Sequence, residues 1–512
     1  MLLIYPPVAK PCEPPAGIAR LAGALRSGNV PCTLLDANLE GQMSLLAAQA
    51  EPADTWGRRA CRNLPANLSA LRDPGTYASP ARYRRAVADV NRVLELAGQT
   101  RNISLSLVNY QDPELSPLKS ADLLRAAAKP AENIFFPYFA QRLPPLLAEP
   151  RHKIVGISLN YLSQALPAFA MAGFLRQRFP EVTLVMGGGL VTSWLRNPAW
   201  QNPFAGLVDL LVAGPGEETL LGLCGRASSP RHVPPDYTGL PLSDYLAPGF
   251  ILPYAASSGC YWHRCSFCPE KTEENPYRAI PPDQVLDDLS ELVLNTRPVL
   301  LHFLDNAVSP ALLAALVEQP PGVGWYGFAR INRALTEPAF CRALRRAGCI
   351  MLKLGLESGN QEVLTAMRKG IDLEMVARAL SALHAAGIRT YVYLLFGTPA
   401  ESLAEARDTL IFTTGHARAI TWLNLAVFNM PVCSQEANTL QASRFSEGDL
   451  SLYTDFAHPR SWDRKTIRRF LDQEFKRSPE IAAILRRDPP LFTSNHAPFF
   501  TGGFASPGSP AG

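Results

Sequence analysis

At 512 residues, with 47% hydrophobic and 18% charged, the chain has the apolar material for full cores in roughly three domains and is not a disordered polymer. Its 49 basic and 45 acidic residues leave a formal net charge of +4, which gives no electrostatic case for nucleic acid or for a membrane surface. The start MLLIYPPVAK is too short an apolar run for a signal peptide, and no stretch approaches the ~18 apolar residues of a membrane helix. Ten cysteines, seven of them scattered, do not make a disulfide framework, so a cytoplasmic, reducing location is expected.

Leu2 to Tyr5 reads as a short buried strand, followed by the loop PPVAKPCEPP, a helix from Gly17 to Ser27 and a second strand, CTLLDAN, ending at Asp36. This is the opening of an alternating βαβ domain. From about residue 40 to residue 150 the periodicity is helical, as in SPARYRRAVADVNRVLELAG, and the stretch reads as a helical insertion. The alternation resumes at KIVGISLNYLSQ, VTLVMGGGLVTSW and VDLLVAGPGEETLLGL. Each is an apolar strand that ends in a small or polar loop ahead of a helix. That pattern places Ser158, Ser163, Gly187, Gly188 and Gly189 at the carboxyl edge of a parallel sheet, where ligands bind. Residues 1–233 are therefore expected to form a flavodoxin-like or Rossmann-type domain, and residues 234–249 a Pro-containing linker.

Six strand-and-helix units follow over residues 250–430, with strands at Phe250–Ala256, Val299–Asp305, Gly324–Arg330, Met351–Glu357, Arg389–Gly397 and Ile420–Phe428. Six parallel strands inside helices fit a partial barrel of the TIM type, whose site lies at the carboxyl ends of the strands. Those ends carry Asp305 and Asn306, Arg330 and Asn332, Glu357 and Ser358, Gly397 and Thr398, and Asn429. Residues 431–512 lose the alternation and read as a small helical extension, with helices at WDRKTIRRFLDQEFKR and PEIAAILRR and a disordered Pro/Gly/Ser-rich end from Thr501.

The first barrel strand leads into AASSGCYWHRCSFCPE, where Cys260, Cys265 and Cys268 fall within nine residues. Thiolates select zinc, copper(I) and iron–sulfur clusters over hard cations. A closed structural zinc site has four ligands, and no second Cys/His pair follows at a suitable distance. Three thiolates holding a [4Fe-4S] cluster leave one iron open to a small molecule. Zinc with His263 as fourth ligand, and unliganded buried cysteines, are the alternatives.

The cysteine loop with Phe267 before its last cysteine, LKLGLESGNQEVLTAMRKG, AGIRTYVYLLFGTPAES, and the first-domain stretches GISLNYLS, MGGGLVTSW and AGPGEET together resemble the radical S-adenosylmethionine superfamily. The group resembled has an amino-terminal cobalamin-binding-type domain, and the likeness covers most of residues 1–430. It implies a [4Fe-4S] cluster on Cys260, Cys265 and Cys268, whose open iron chelates S-adenosylmethionine, and reductive cleavage to a 5′-deoxyadenosyl radical that abstracts a substrate hydrogen. It further implies that Phe267 lies against the adenine, Asp305 meets the methionine amino group and Arg330 its carboxylate. Glu357 and Ser358 would meet the ribose or carboxylate, and Gly397 would let backbone approach the adenine. Cobalamin is implied at Pro6–Pro15, Ser158–Ser163, Gly187–Gly189 and Gly214–Glu217. The implied partners are a small-molecule or peptide substrate, methylated or rearranged, and an electron donor such as flavodoxin or ferredoxin. Two features depart from the pattern. Four residues, YWHR, separate Cys260 from Cys265 where the family has three, and the D-x-H-x-x-G cobalt-ligand motif is absent. The alternative functions are a methylthiotransferase or tRNA-modifying enzyme of the same superfamily, which the scattered remaining cysteines do not favour, and a non-catalytic zinc-binding protein.

Overall fold

The computed structural model of the protein describes residues 1–48, 52, 54–148, 152–227, 232–438, 440, 442–444, 448–489 and 496–503. The chain divides into two compact units, Met1–Phe250 with Ser446–Leu452, and Ile251–Phe445 with Tyr453–Gly512.

The first unit is built on five strands, β1 (Leu2–Tyr5), β2 (Thr33–Asp36), β3 (Ile154–Ser158), β4 (Thr183–Gly187) and β5 (Leu210–Leu211), in the order β2-β1-β3-β4-β5. All neighbours are parallel. Parallel pairs need long crossovers, and the helices Ala16–Ser27 and Leu162–Arg178 supply two of them. Helices cover a parallel sheet on its faces, which is why strands such as LLIY read as unbroken apolar runs, with Leu2 to Ile4 fully buried. Between β2 and β3 lies the insertion, with helices Ala37–Ala47, Thr55–Arg72, Pro80–Gln99, Ser120–Ala128 and Phe136–Leu147. It is not wholly helical, since Ser104–Leu105 pairs antiparallel with Tyr110–Gln111. Its buried Asp89 accepts from Trp56 Nε1 at 3.0 Å and from Arg59 Nη2 at 3.1 Å, which offsets the cost of burying the charge.

The second unit contains six parallel strands in strict chain order, β6 (Ile251–Tyr254), β7 (Leu300–Val308), β8 (Trp325–Ala329), β9 (Cys349–Glu357), β10 (Arg389–Phe396) and β11 (Trp422–Val427). Helices Pro282–Thr296, Pro310–Glu318, Pro338–Arg346, Leu373–Ala385 and Leu403–Gly415 separate them. Among the described residues β6 and β11 pair only on one side, so the barrel is partial. After β9 the helical stretch is divided into Gln361–Ala366 and Leu373–Ala385, around Gly370 at φ +68°.

The extension has its two expected helices, Arg464–Gln473 and Pro479–Arg486. It also holds three short antiparallel strands, Met430–Pro431, Ala442–Arg444 and Tyr453–Phe456, which no periodicity marks because each has two to four residues. Of the end expected to be disordered from Thr501, residues 501–503 close a 3-10 helix, Ala497–Gly503, and residues 504–512 lie outside the described residues. Among the described residues no helix is long and apolar enough to cross a membrane.

Candidate active site

After β6 the chain forms a narrow ribbon, with Ser257–Ser258 antiparallel to Arg278–Ala279, and the cysteine loop is closed by its two arms. Gly259, at φ +71°, lies where the arms meet. A Cβ there would stand 2.6 Å from the Pro276 carbonyl oxygen, so a side chain does not fit. Cys260, Cys265 and Cys268 are free thiols, all half-buried on this loop. Cys268 begins the short helix Pro269–Thr272. Burial pushes its thiol up to about 11, against hydrogen bonds from the Glu270 and Lys271 backbone. Burial also raises the Cys265 thiol, opposed by the positive charges of Lys369 and Arg330.

The extra residue between Cys260 and Cys265 has a place. Within the four-residue gap His263 takes a left-handed conformation, φ +47°. Trp262 is then pinned on the turn after helix Gln361–Ala366: its Nε1 donates to the Arg368 carbonyl at 3.1 Å, and its ring fills the space that Gly370 leaves by lacking a side chain. The Arg330 guanidinium stacks on the same ring, 4.0 Å from its centroid, and the Ser266 N–H donates to the Met367 carbonyl at 3.0 Å. An open cleft of about 620 Å³ runs along this wall, lined by Trp262, Arg264, Lys271, Arg368 and Asp372 among others.

Asp305, Arg330 and Glu357 fall around this loop, but each is engaged within the protein. The buried Asp305 carboxylate accepts from the Ala256 N–H at 3.0 Å and the Ser257 hydroxyl at 2.5 Å, bracing the exit of β6; burial raises its carboxyl. Arg330 donates through Nη2 to the Lys369 carbonyl, and its Nη1 lies 4.0 Å from Cys265 Sγ. Glu357 pairs with Lys369 at 2.7 Å, and Lys369 Nζ also stands 5.6 Å from the Phe267 ring centroid. Ser358 is fully buried, with its hydroxyl 3.2 Å from Thr409 Oγ1 and accepting the Asn360 N–H. Gly397, φ +87°, lacks a side chain where Ile467 of the extension packs, so the close approach it allows is to that helix. Lys369 and Trp262 went unnoticed in the sequence. The one signal for Trp262 was the loop's extra residue.

In the first unit, Ser158 ends β3 and its hydroxyl accepts from Asn160 Nδ2 at 3.1 Å. Ser163 donates to the Val8 carbonyl at 2.8 Å. Of the glycine run, Gly187 ends β4, Gly188 adopts φ +105° against the Leu159 backbone with no room for a Cβ, and the Gly189 N–H donates to Asn160 Oδ1 at 2.9 Å. Close packing thus accounts for Gly188. Tyr161, half exposed, stands beside this edge at the start of helix Leu162–Arg178. His152 precedes β3, at the opposite end of the sheet, and bonds Thr33 Oγ1 and the Leu146 carbonyl.

Three thiols on one loop, flanked by Lys369 and Arg330, form a donor set suited to an anionic sulfide cluster with one iron left open. Among the described residues no three His, Cys, Asp or Glu side chains stand as a ready metal cage, so the fit rests on donor chemistry and not on preformed ligation.

Residues 255–413 match the family model described as "Radical SAM superfamily". The chain is 30% identical over 172 residues to bacteriochlorophyllide d C-12(1)-methyltransferase of Chlorobaculum tepidum, covering 32% of this chain and 37% of the relative. It is 25% identical over 299 residues to an uncharacterized methyltransferase of Pyrococcus horikoshii, covering 51% and 63%. The chain thus spans less than two thirds of the length of either curated relative. Among solved structures, the radical S-adenosylmethionine methyltransferase TsrM of Kitasatospora setae, with tryptophan and a SAM analog bound, shares the fold at TM-score 0.53 and 16% identity, over 96% of this chain and 89% of that one. The cobalamin-dependent S-adenosylmethionine radical enzyme OxsB shares it at TM-score 0.50 and 15% identity, over 62% and 57%. The family match begins where β6 ends and covers the cysteine loop and strands β7 to β10, so residues 255–413 are a radical SAM domain.

Proposed function

We propose that the chain is a radical S-adenosylmethionine enzyme acting on a small molecule or peptide, and that it transfers a methyl group with cobalamin held at the carboxyl edge of the first unit's sheet. The observation that carries the radical reading is the three-thiol loop within the matched domain. In this reading Cys260, Cys265 and Cys268 would hold the cluster, which would supply the electron for reductive cleavage of S-adenosylmethionine. The protein's own groups do the rest. Asp305 braces the exit of β6 and so aims the loop. The Trp262 plug holds the loop's far side against the turn at residues 367–370. Lys369 and Arg330 place positive charge beside Cys265, which offsets the charge of thiolates in a half-buried site.

Methyl transfer is supported by two relatives named methyltransferases and by the fold shared with TsrM and OxsB. A corrinoid at the first sheet's edge would have no ligand from His152, which is engaged at the other end. Ser158, Ser163 and Gly187 to Gly189 are the residues proposed to border it. An electron donor of the flavodoxin or ferredoxin kind is the partner such chemistry needs. The test is turnover of S-adenosylmethionine by anaerobically reconstituted protein under reduction. Formation of 5′-deoxyadenosine or S-adenosylhomocysteine, lost in Cys268→Ala, is expected; absence of both products in the wild type contradicts the reading.

A further inference from the structure

The turn leaving β10, Gly397 to Ser402, is held internally by few bonds: the Gly397 N–H donates to Glu401 Oε2 at 2.5 Å, and Ser402 caps the helix that follows. The turn contains Pro399, which has no N–H, and within it the Glu401 N–H donates to the Thr398 carbonyl at 2.9 Å. The extension supplies what is missing. His458 Nε2 donates to the Thr398 carbonyl at 2.9 Å. Its Nδ1 accepts the backbone N–H groups of Arg460 and Trp462, which folds the segment around the imidazole. Arg460 donates through Nη1 to the Ala400 carbonyl at 2.5 Å and through Nη2 to Glu405 at 2.9 Å. Trp462 Nε1 donates at 3.0 Å to Glu401 Oε2, the same oxygen that accepts the Gly397 N–H at 2.5 Å. Glu401 and Trp462 are both buried, at 0% and 2% exposure. Arg464 continues the seam to the end of β11, donating to the Phe428 carbonyl and Asn429 Oδ1. Ile467 occupies the space that Gly397 leaves empty.

The Thr398 and Ala400 carbonyls and the Glu401 carboxylate are thus tied, one after another, to a segment some sixty residues later in the chain. A surface helix needs only an apolar face to dock. A run of polar groups aimed at backbone carbonyls instead fixes the shape of what it touches. We propose that residues 458–464 are a strap that holds the turn after β10 in its ligand-binding shape, making His458 and Trp462 positioning residues for S-adenosylmethionine. This rests on the radical S-adenosylmethionine reading of the proposed function and on the turn's place at the carboxyl end of β10, the edge at which barrels of parallel strands bind ligands.

The test uses the full chain, reconstituted anaerobically, with Trp462→Phe, which removes the indole donor but keeps a ring, and with His458→Ala. Arg487→Ala is the control, since its guanidinium bonds the Thr421 and Ile420 carbonyls ahead of β11, away from the turn. The dissociation constant of S-adenosylmethionine is read by equilibrium dialysis, and exchange of the Gly397 amide by mass spectrometry. Loss of one such hydrogen bond should weaken binding about fivefold to tenfold in each strap variant and speed Gly397 exchange, with iron content kept and Arg487→Ala unchanged. Wild-type affinity in both strap variants would overturn the strap alone. Loss of iron in Trp462→Phe would make the residue structural and overturn its positioning role. A wild-type chain that does not bind S-adenosylmethionine would overturn the functional reading and the strap with it.

Discussion

Glu357 sits at φ +71°, a left-handed conformation that a non-glycine side chain seldom adopts, at the point where β9 ends and the rim begins. Its carboxylate meets Lys369 at 2.7 Å, with both side chains almost entirely out of solvent, and Gly355 leaves the room, since a Cβ there would collide with both partners. Removing one member of such a pair leaves a buried charge without its counterion. Lys369→Ala should therefore destabilise the chain by about 3–5 kcal/mol in urea unfolding, and Glu357→Gln with Lys369→Met should recover much of it. Glu401 offers a pH signature. Burial raises its carboxyl from 4.5 to about 7, opposed by hydrogen bonds from Gly397 and Trp462 and reinforced by the charge of Glu405. Between those values the folded chain keeps a proton that the unfolded chain has released, so this group's contribution to stability falls as pH rises through 4.5 to 7. His458 runs the other way. Burial lowers its pKa from 6.5, with Arg460 lowering and Asp463 raising it, so its contribution is lost as pH falls below 6.5. In urea midpoints measured across pH 4.5 to 8, Glu401→Gln should lessen the decline between pH 4.5 and 7, to which the raised carboxyls of Asp36 and Asp305 also contribute, and leave the His458 loss in place.

At the scale of elements, the long parallel strands were legible because mainly apolar stretches, LLHFL in β7 and CIMLKLGL in β9, lead into the polar residues Asp305 and Glu357, and the helices Pro282–Thr296 and Pro310–Glu318 begin at prolines. Observed strand limits differ from the expected ones by a few residues, as with Leu300–Val308 against Val299–Asp305. The rim residues were legible as a set, but not their partners. Lys369 reaches Glu357 because helix Gln361–Ala366 ends in a turn, with Arg368 at φ +53° and the Lys369 N–H on the Leu364 carbonyl, that leads the chain back, and the strap meets β10 from far along the sequence. Neither relation has a period to read. The cysteine loop shows the same limit: its extra residue was visible, while the use of that residue depended on Gly370 and Arg330. Trp262→Ala removes a stacked guanidinium and one hydrogen bond, together worth about 1–2 kcal/mol of loop anchoring. Exchange of the Ser266 amide, which donates to Met367, should speed by about tenfold, and Trp262→Phe should recover part of it.

At the scale of the molecule, two α/β units occur in one chain, an open five-stranded sheet and a six-stranded partial barrel, each with its strand ends edged by small or polar residues. The order of parts was legible from the alternation and its interruption. The small antiparallel sheet at residues 430–456 was not, because strands of two to four residues owe their pairing to tertiary context. Everything proposed for the chemistry depends on iron, with one coordination position open, held by Cys260, Cys265 and Cys268. The most direct measurement is the electron paramagnetic resonance spectrum of the reduced, anaerobically reconstituted chain, with and without S-adenosylmethionine, alongside iron and sulfide analysis. About four irons and four sulfides per chain, and a spectrum that changes when S-adenosylmethionine is added and disappears in Cys265→Ala, are expected. Zinc in place of iron, or a cluster spectrum indifferent to S-adenosylmethionine, would contradict it.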